Sequence, residues 1–237
     1  MTTLKDVDTL LFDMDGTLTD LWKRYRDPFF RAIDKVRPDH DKERLYEIFE
    51  KITADFLKTS EGSSRIQKFK TFIKSRRETG GSIFDTVRVL KTVFKDPLAF
   101  KDIVPLEGVE RTLEILQLRG YKLALVTNAG DKTVSVAKEK LKILESFDVL
   151  VTRNTVKKIK PYPDSILYAC EYLGKKPEEC AMIGDFPQDV LAGKNAGTKT
   201  ISILGANKKY TEKDIKQSNP DVILESFQDL LEIFPQI

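Results

Sequence analysis

Asp13 and Asp15 stand at the end of a short apolar run, 7–13, and are followed at once by Gly16-Thr17-Leu18. Carboxylates at alternate positions of an extended chain start on the same side. Thr127-Asn128 and Gly184-Asp185-Phe-Pro-Gln-Asp189 end two further apolar runs, and Lys160-Pro161 lies between another run and a helical segment. A carboxylate can attack a phosphoryl group and form an aspartyl phosphate. A second acid beside it can protonate the leaving oxygen and later activate water. A third acid, Asp185, repels the first two unless something compensates, and oxygen-only ligation of that kind suits Mg²⁺. Thr127 and the backbone N–H groups around it are suited to hold phosphoryl oxygens, and Lys160 to neutralise charge on nucleophile and phosphate. Gly16 permits a tight turn that other residues resist.

These residues converge only if the runs that carry them are strands of one sheet. Apolar segments at 7–13, 123–126, 147–151, 180–183, 200–204 and 222–224 alternate with helical patterns at 109–119, 132–141, 164–173, up to Ala196, and 227–233. Gly120, Gly174 and Gly197 are placed to end three of the helices. That alternation predicts an α/β fold, a parallel sheet with helices on both faces. Ligands of such sheets bind outside the carboxyl ends of the strands, where the acids, the threonine and the lysine are expected to gather. Between the first strand and the rest, apolar residues fall into helical sets: Phe29, Phe30, Ile33 and Val36; Leu45, Ile48, Phe49, Ile52 and Phe56; Ile66, Phe69, Phe72 and Ile73; Ile83, Phe84, Val87, Leu90 and Phe94. The expected organisation is a core of residues 1–18 and 100–237 interrupted by a helical insert, 19–99.

Taken in order, Asp13-x-Asp15-Gly16-Thr17, Thr127-Asn128, Lys160-Pro161 and Gly184-Asp185-x-x-x-Asp189 resemble the four motifs of the haloacid dehalogenase-like hydrolases. The resemblance covers essentially all of residues 7–204. The insert resembles the α-helical cap placed after the first motif in phosphoglycolate phosphatase-like members. It implies a Rossmann-like core, Mg²⁺ dependence and hydrolysis of a small phosphorylated metabolite through an aspartyl phosphate. It further implies Asp13 as nucleophile and Asp15 as acid/base. The Asp13 carboxylate, the Asp15 backbone carbonyl and Asp185 would be metal contacts, Thr127 and Asn128 would bind phosphate, and Lys160 would bridge phosphate and nucleophile. Asp189 is implied as an indirect partner of the metal, against a plain reading as a first-turn helix acid. Phe186-Pro187 departs from the small or polar residue common after the fourth motif's aspartate, which stiffens that loop. A phosphomutase needs the same core residues and stays open. A dehalogenase needs neither Asp15 nor a metal, and a non-catalytic binding protein would be expected to lack Asp13 or Lys160.

The bulk properties narrow the rest. The 237 residues carry 40 Lys and Arg against 37 Asp and Glu, a formal charge of +3, short of the strongly basic balance of nucleic-acid binders. No run approaches the apolar length of a membrane span, the start lacks a signal-peptide profile, and two cysteines cannot build a disulfide framework. A cytoplasmic protein acting on a small phosphorylated metabolite, with no nucleic-acid or membrane partner, is expected. Trp22, Lys23, Arg24 and Arg26 open the insert close to the first motif, either as a polar helix face or as substrate-lining groups. His40 and the basic set Arg65, Lys68, Lys70, Lys74, Arg76 and Arg77 are expected to face solvent. Gly193-Lys194-Asn195 fails as a phosphate loop because Asn195 replaces the required Ser or Thr.

Overall fold

Six short strands, apolar almost throughout, form one parallel sheet whose spatial order places the first strand in the middle. In chain order, the computed structural model has β1 (Thr9–Phe12), α1 (Leu21–Val36), α2 (Lys42–Lys58), α3 (Val109–Leu118), β2 (Lys122–Val126), α4 (Asp131–Lys140) and β3 (Val149–Val151). After these come α5 (Asp164–Leu173), β4 (Cys180–Gly184), α6 (Pro187–Ala196), β5 (Lys199–Ile203), α7 (Lys208–Ser218), β6 (Val222–Leu224) and α8 (Leu230–Ile233). The structure describes residues 4–36, 41–58, 88–89, 92 and 103–237, without the side chains of 51–58, 206 and 210. His40, the helical sets beyond Phe56, and the basic set from Arg65 to Arg77 lie outside the described residues, as do the side chains of Ile52 and Phe56.

The chain divides into two units, residues 1–20 with 105–237, and residues 21–104. In the first, the strand order is β3-β2-β1-β4-β5-β6, parallel throughout. The chain runs outward from β1 to β2 and β3, then returns to the other side of β1 with β4. The gap between β1 and β4 is therefore the switch point of the sheet, the place where loops diverge and leave a crevice. One face packs Leu11, Ala124, Val126 and Met182 against Ile166, Ala169 and Cys170 of α5 and Ala192 of α6. Phe12, which points the other way from Leu11, is fully buried and meets the rings of Phe147 and Phe227 at 6.1 and 5.8 Å. Burying such side chains is worth roughly 1.5–3 kcal/mol each, and it fixes the level at which the residue after Phe12 emerges.

The second unit, as far as it is described, is built on α1 and α2. Phe29, Ala32 and Ile33 pack against Leu45, Tyr46 and Phe49, with Val89 added. Rings of Phe29 and Phe49 lie 4.8 Å apart between centroids. Arg26 pairs with Glu43 of α2 at 2.8 Å and lies over the Phe30 ring, so it fastens the two helices together. Among the described residues no helix is long and apolar enough to cross a membrane.

Two elements depart from expectation. The segment 227–233 is a 3-10 turn, Phe227–Asp229, and then the short α8, because Asp229 accepts from both the Ser226 amide and the Ser226 hydroxyl, at 2.8 and 2.7 Å, and tightens the first turn. Helix α7 has no expected counterpart. Its sequence is dominated by charge and anchored by the buried Ile215 and Thr211, too few apolar positions to show a helical period.

Gly193 is a packing residue of α6. A Cβ there would stand 2.6 Å from Thr200 Cγ2 and 3.1 Å from Met182 Cβ, so the helix lies on β4 and β5 through a bare backbone. Gly193→Ala should therefore destabilise the protein by about 1–3 kcal/mol, although alanine is the better helix former by about 1 kcal/mol. Urea unfolding checks the sign, and a gain in stability would contradict the close approach.

Candidate active site

The residue after β1 inherits its position from the sheet. Phe12 pairs with Leu125 and Ile183, and the Asp13 amide still donates to the Ile183 carbonyl at 2.9 Å. Asp13 thus leaves the sheet at the β1–β4 gap with its carboxylate buried. The chain then folds back at once. Amides of Thr17, Leu18 and Thr19 all donate to the Met14 carbonyl, and Gly16 donates to Thr19 at 2.7 Å. Gly16 has φ of 97°, and a Cβ there would lie 2.2 Å from Asp185 Oδ2, so both conformation and space require glycine.

Lys160 comes to Asp13 from the loop before α5. Its ammonium is fully buried and makes three contacts: Asp13 Oδ1 at 2.8 Å, the Val126 carbonyl at 2.8 Å and Asp189 Oδ1 at 2.6 Å. An ammonium has three protons, and three acceptors surround this one. Burial alone would push its pKa down, but the Asp13 and Asp189 carboxylates outweigh that and hold it above the ordinary lysine value. The lysine backbone is gripped as well. Asn128 Oδ1 accepts from the Lys160 amide at 3.0 Å, and Asn128 Nδ2 donates to the Lys160 carbonyl at 3.1 Å. On the far side, Asn195 of α6 donates to the Pro161 carbonyl at 3.1 Å.

Asp185 and Asp189 enter from β4 and α6. Pro187 opens the helix, where its missing N–H costs nothing, and Asp189 Oδ2 accepts from the Phe186 amide at 3.1 Å. Asp185 accepts from the Thr17 hydroxyl at 2.7 Å on one oxygen and from Asn207 Nδ2 on the other. Oxygens of Asp13, Asp185 and Asp189 all lie within 4.8 Å of one another, and all three residues are buried. Burial and the charges of Asp13 and Asp189 raise the Asp185 pKa well above the carboxylate range. Burial raises Asp189 to about 6, with Lys160 pulling the other way. Asp185 thus faces two acids with only neutral donors of its own. That donor set, three oxygen ligands in a dry, over-negative pocket, fits a hard divalent cation.

Of the residues read from sequence, Asp13, Lys160 and Asp185 come together here, and Asp189 joins them as the second carboxylate on Lys160. Asp15 lies apart from the three-acid cluster: it bridges to Thr19 and accepts from the Thr19 hydroxyl at 3.3 Å. Thr127 is buried at the end of β2, and its Oγ accepts from the Ala129 amide at 3.0 Å. The Asn128 side chain is spent on the Lys160 backbone and on Gln188. Of the residues that open the second unit, Trp22 and Arg24 are buried and Lys23 is exposed.

Asn207 and Thr17 were not assigned roles from sequence. Thr17 lies inside the first motif, and its hydroxyl could have been matched to a motif acid. Asn207 stands after β5 and Leu204-Gly205-Ala206, at the same sheet edge as the other site residues. A polar side chain past an apolar strand was the available signal, but the helix that holds it, α7, carries little periodicity.

The sequence profile of the haloacid dehalogenase-like hydrolases matches residues 10–203. Among individual proteins, the chain is 31% identical over 229 residues to the pyrophosphatase PpaX of Bacillus cereus, covering 96% of each. It is 32% identical over 228 residues to the PpaX of Halalkalibacterium halodurans, covering 96% of this chain and 97% of that one. In solved structures, a predicted phosphoglycolate phosphatase from Haemophilus somnus 129pt shares the fold with a TM-score of 0.71 at 21% identity, covering 97% of this chain and 98% of that one. A hydrolase from Deinococcus radiodurans R1 with bound phosphate and sodium does so with a TM-score of 0.73 at 20% identity, covering 95% and 93%.

Asn207 supplies one of the two donors that orient Asp185. Removing such a support typically weakens metal affinity about 10–100-fold. For a divalent cation held by the three acids, with Mg²⁺ as the probe, Asn207→Ala is expected to weaken binding by about tenfold or more in a calorimetric titration, with the metal-free fold retained by circular dichroism. Unchanged affinity would mean that Asp185 is held without it.

Proposed function

The chain belongs to the haloacid dehalogenase-like hydrolases, and from that premise we propose that it is a Mg²⁺-dependent phosphatase that hydrolyses a small phosphorylated metabolite through an aspartyl phosphate on Asp13. The observation that carries this reading is the buried Asp13–Lys160–Asp189 chain beside Asp185. A carboxylate paired with a buried ammonium and backed by further oxygen ligands is equipped for attack on phosphorus.

Asp13 attacks with the oxygen not taken by Lys160, and the P–O bond to the leaving group breaks. Asp15 gives its proton to that leaving oxygen. It then takes a proton from water, which attacks phosphorus, releases inorganic phosphate and restores the Asp13 carboxylate. Thr127 through its hydroxyl and Asn128 through its backbone N–H hold the equatorial oxygens. Lys160 keeps Asp13 aimed and spreads positive charge to the oxygens that gather negative charge. Asp13, Asp185 and the Asp15 carbonyl would hold Mg²⁺, which when bound neutralises the acids and the phosphate together.

The unit 21–104 is read as a cap that excludes water during transfer. Its two connections leave the core side by side: Thr19 bridges to Pro105, and the Leu106 amide donates to Leu18 at 3.0 Å. The substrate to test first is inorganic pyrophosphate, because the relatives at 31% and 32% identity are pyrophosphatases. Phosphoglycolate and sugar phosphates come next, and an isomerised sugar phosphate with little free phosphate would identify a mutase instead.

Phosphate release from at least one member of such a panel should require Mg²⁺ and stop on chelation. Asp13→Asn should lower kcat by at least about three orders of magnitude, and Lys160→Met by about two to three. Hydrolysis that persists in Asp13→Asn, or no release by the wild-type protein across the whole panel, would overturn the reading.

A further inference from the structure

The chain has two cysteines, and they meet. Cys170 lies on α5 and Cys180 opens β4; both are buried and unoxidised, with their sulfurs 3.5 Å apart. The Cys180 sulfur also lies 3.4 Å from the Lys176 carbonyl. The segment between the cysteines, including the turn Gly174 and the 3-10 turn Pro177–Glu179, alternates exposed and half-buried residues. The chain between the two cysteines is thus a short surface excursion, and its Lys176 carbonyl touches the Cys180 sulfur.

Neither sulfur serves the proposed reaction. Cys180 pairs with Thr9 at the amino end of β4, whereas Asp13 and Asp185 leave the carboxyl ends of β1 and β4. The pair sits on the edge of the sheet away from the acids, and it joins the helix after Lys160 to the strand before Asp185.

We propose that Cys170 and Cys180 are a reversible dithiol–disulfide pair, oxidised by exchange with a low-molecular-weight disulfide, that staples α5 to β4 without entering the active site. The Cys170 thiolate attacks one sulfur of the small disulfide and expels a thiolate. Cys180 gives up its proton and attacks the Cys170 sulfur of the mixed disulfide, expelling the second thiolate. The protein loses two electrons and two protons, and the small disulfide is reduced to two thiols. Of the two, Cys170 keeps the little exposure the pair has and Cys180 none, and their 3.5 Å separation puts each within reach of a mixed disulfide on the other. The closed loop is short and holds the end of α5, so its constraint acts mainly on the unfolded chain.

The full-length protein is incubated with oxidised glutathione, unfolded, and alkylated with iodoacetamide. The expected result is a mass lower by about 2 Da than the reduced chain, no alkylation, and a peptide linking 170 to 180. The thermal midpoint should rise by roughly 5–10 °C and return to its starting value on reduction. Phosphatase activity on whichever substrate the panel identifies should stay within about twofold. Cys170→Ser and Cys170→Ala should lose both the mass change and the midpoint rise. Two alkylated cysteines after oxidation, a link between two chains instead of within one, or an internal disulfide with an unchanged or lowered midpoint would each overturn the proposal. Because mass and midpoint do not depend on turnover, failure here is separable from failure of the phosphatase reading.

Discussion

The ammonium of Lys160 is the point on which the site depends. A lone lysine taken out of water is costly, and so is a lone aspartate. Here one buried ammonium meets two buried carboxylates and a carbonyl, hydrogen-bonding Asp13 and the Val126 carbonyl and ion-pairing with Asp189. Each partner arrives from a different part of the chain: Asp13 after β1, Val126 at the end of β2, Lys160 before α5 and Asp189 in the first turn of α6. The contact therefore stitches together the loops of three strands. Replacing the lysine by an apolar residue would leave acids without a counter-charge, a larger disturbance than the loss of a hydrogen bond.

Precision at that point is supplied by neutral amides. Asn128 grips both backbone groups of Lys160, and Asn195 holds the carbonyl of Pro161. Asn207 and Thr17 do the same for Asp185. Charged groups so close need restraint, because attraction alone fixes a distance and not a direction. Amide and hydroxyl donors add direction without adding charge to a pocket already short of positive charge.

The strands and their ends were legible in sequence because buried parallel strands read as apolar runs, and the polar residues just past each run stand out by contrast. Asp13, Lys160 and Asp185 could be named for that reason. Boundaries moved by one or two residues, and 227–233 split, because local hydrogen bonds such as Ser226–Asp229 act below the resolution of periodicity. Helix α7 was illegible because, among its described side chains, only Thr211 and Ile215 are buried. The same cause hid Asn207, which rides at its start. For Asn128 the residue was visible and its partner was not, since nothing local distinguishes an amide that binds phosphate from one that binds a neighbouring loop.

Near-neutral total charge says nothing about such a site, and the reason is dielectric. Opposite charges on a wet surface at 4 Å interact by about 1 kcal/mol in water, but by about 4 kcal/mol where the effective dielectric constant is near 20. Forty cations against 37 anions therefore leave no large far field, while three buried acids against one buried ammonium leave a strong local one. Two negative charges remain uncompensated when all three acids are ionised. Either the acids hold protons, as the raised pKa of Asp185 implies for the acids by themselves, or a divalent cation supplies the missing charge. Protonation would give up the oxygen ligands that Thr17 and Asn207 orient. A cation keeps them, and adding a phosphate dianion then brings charge that the cation and Lys160 can share. With a divalent cation bound, the three acids and Lys160 sum to zero, so acids that repel one another by themselves are balanced before phosphate arrives, and the charge that phosphate brings meets a cation and an ammonium already in place.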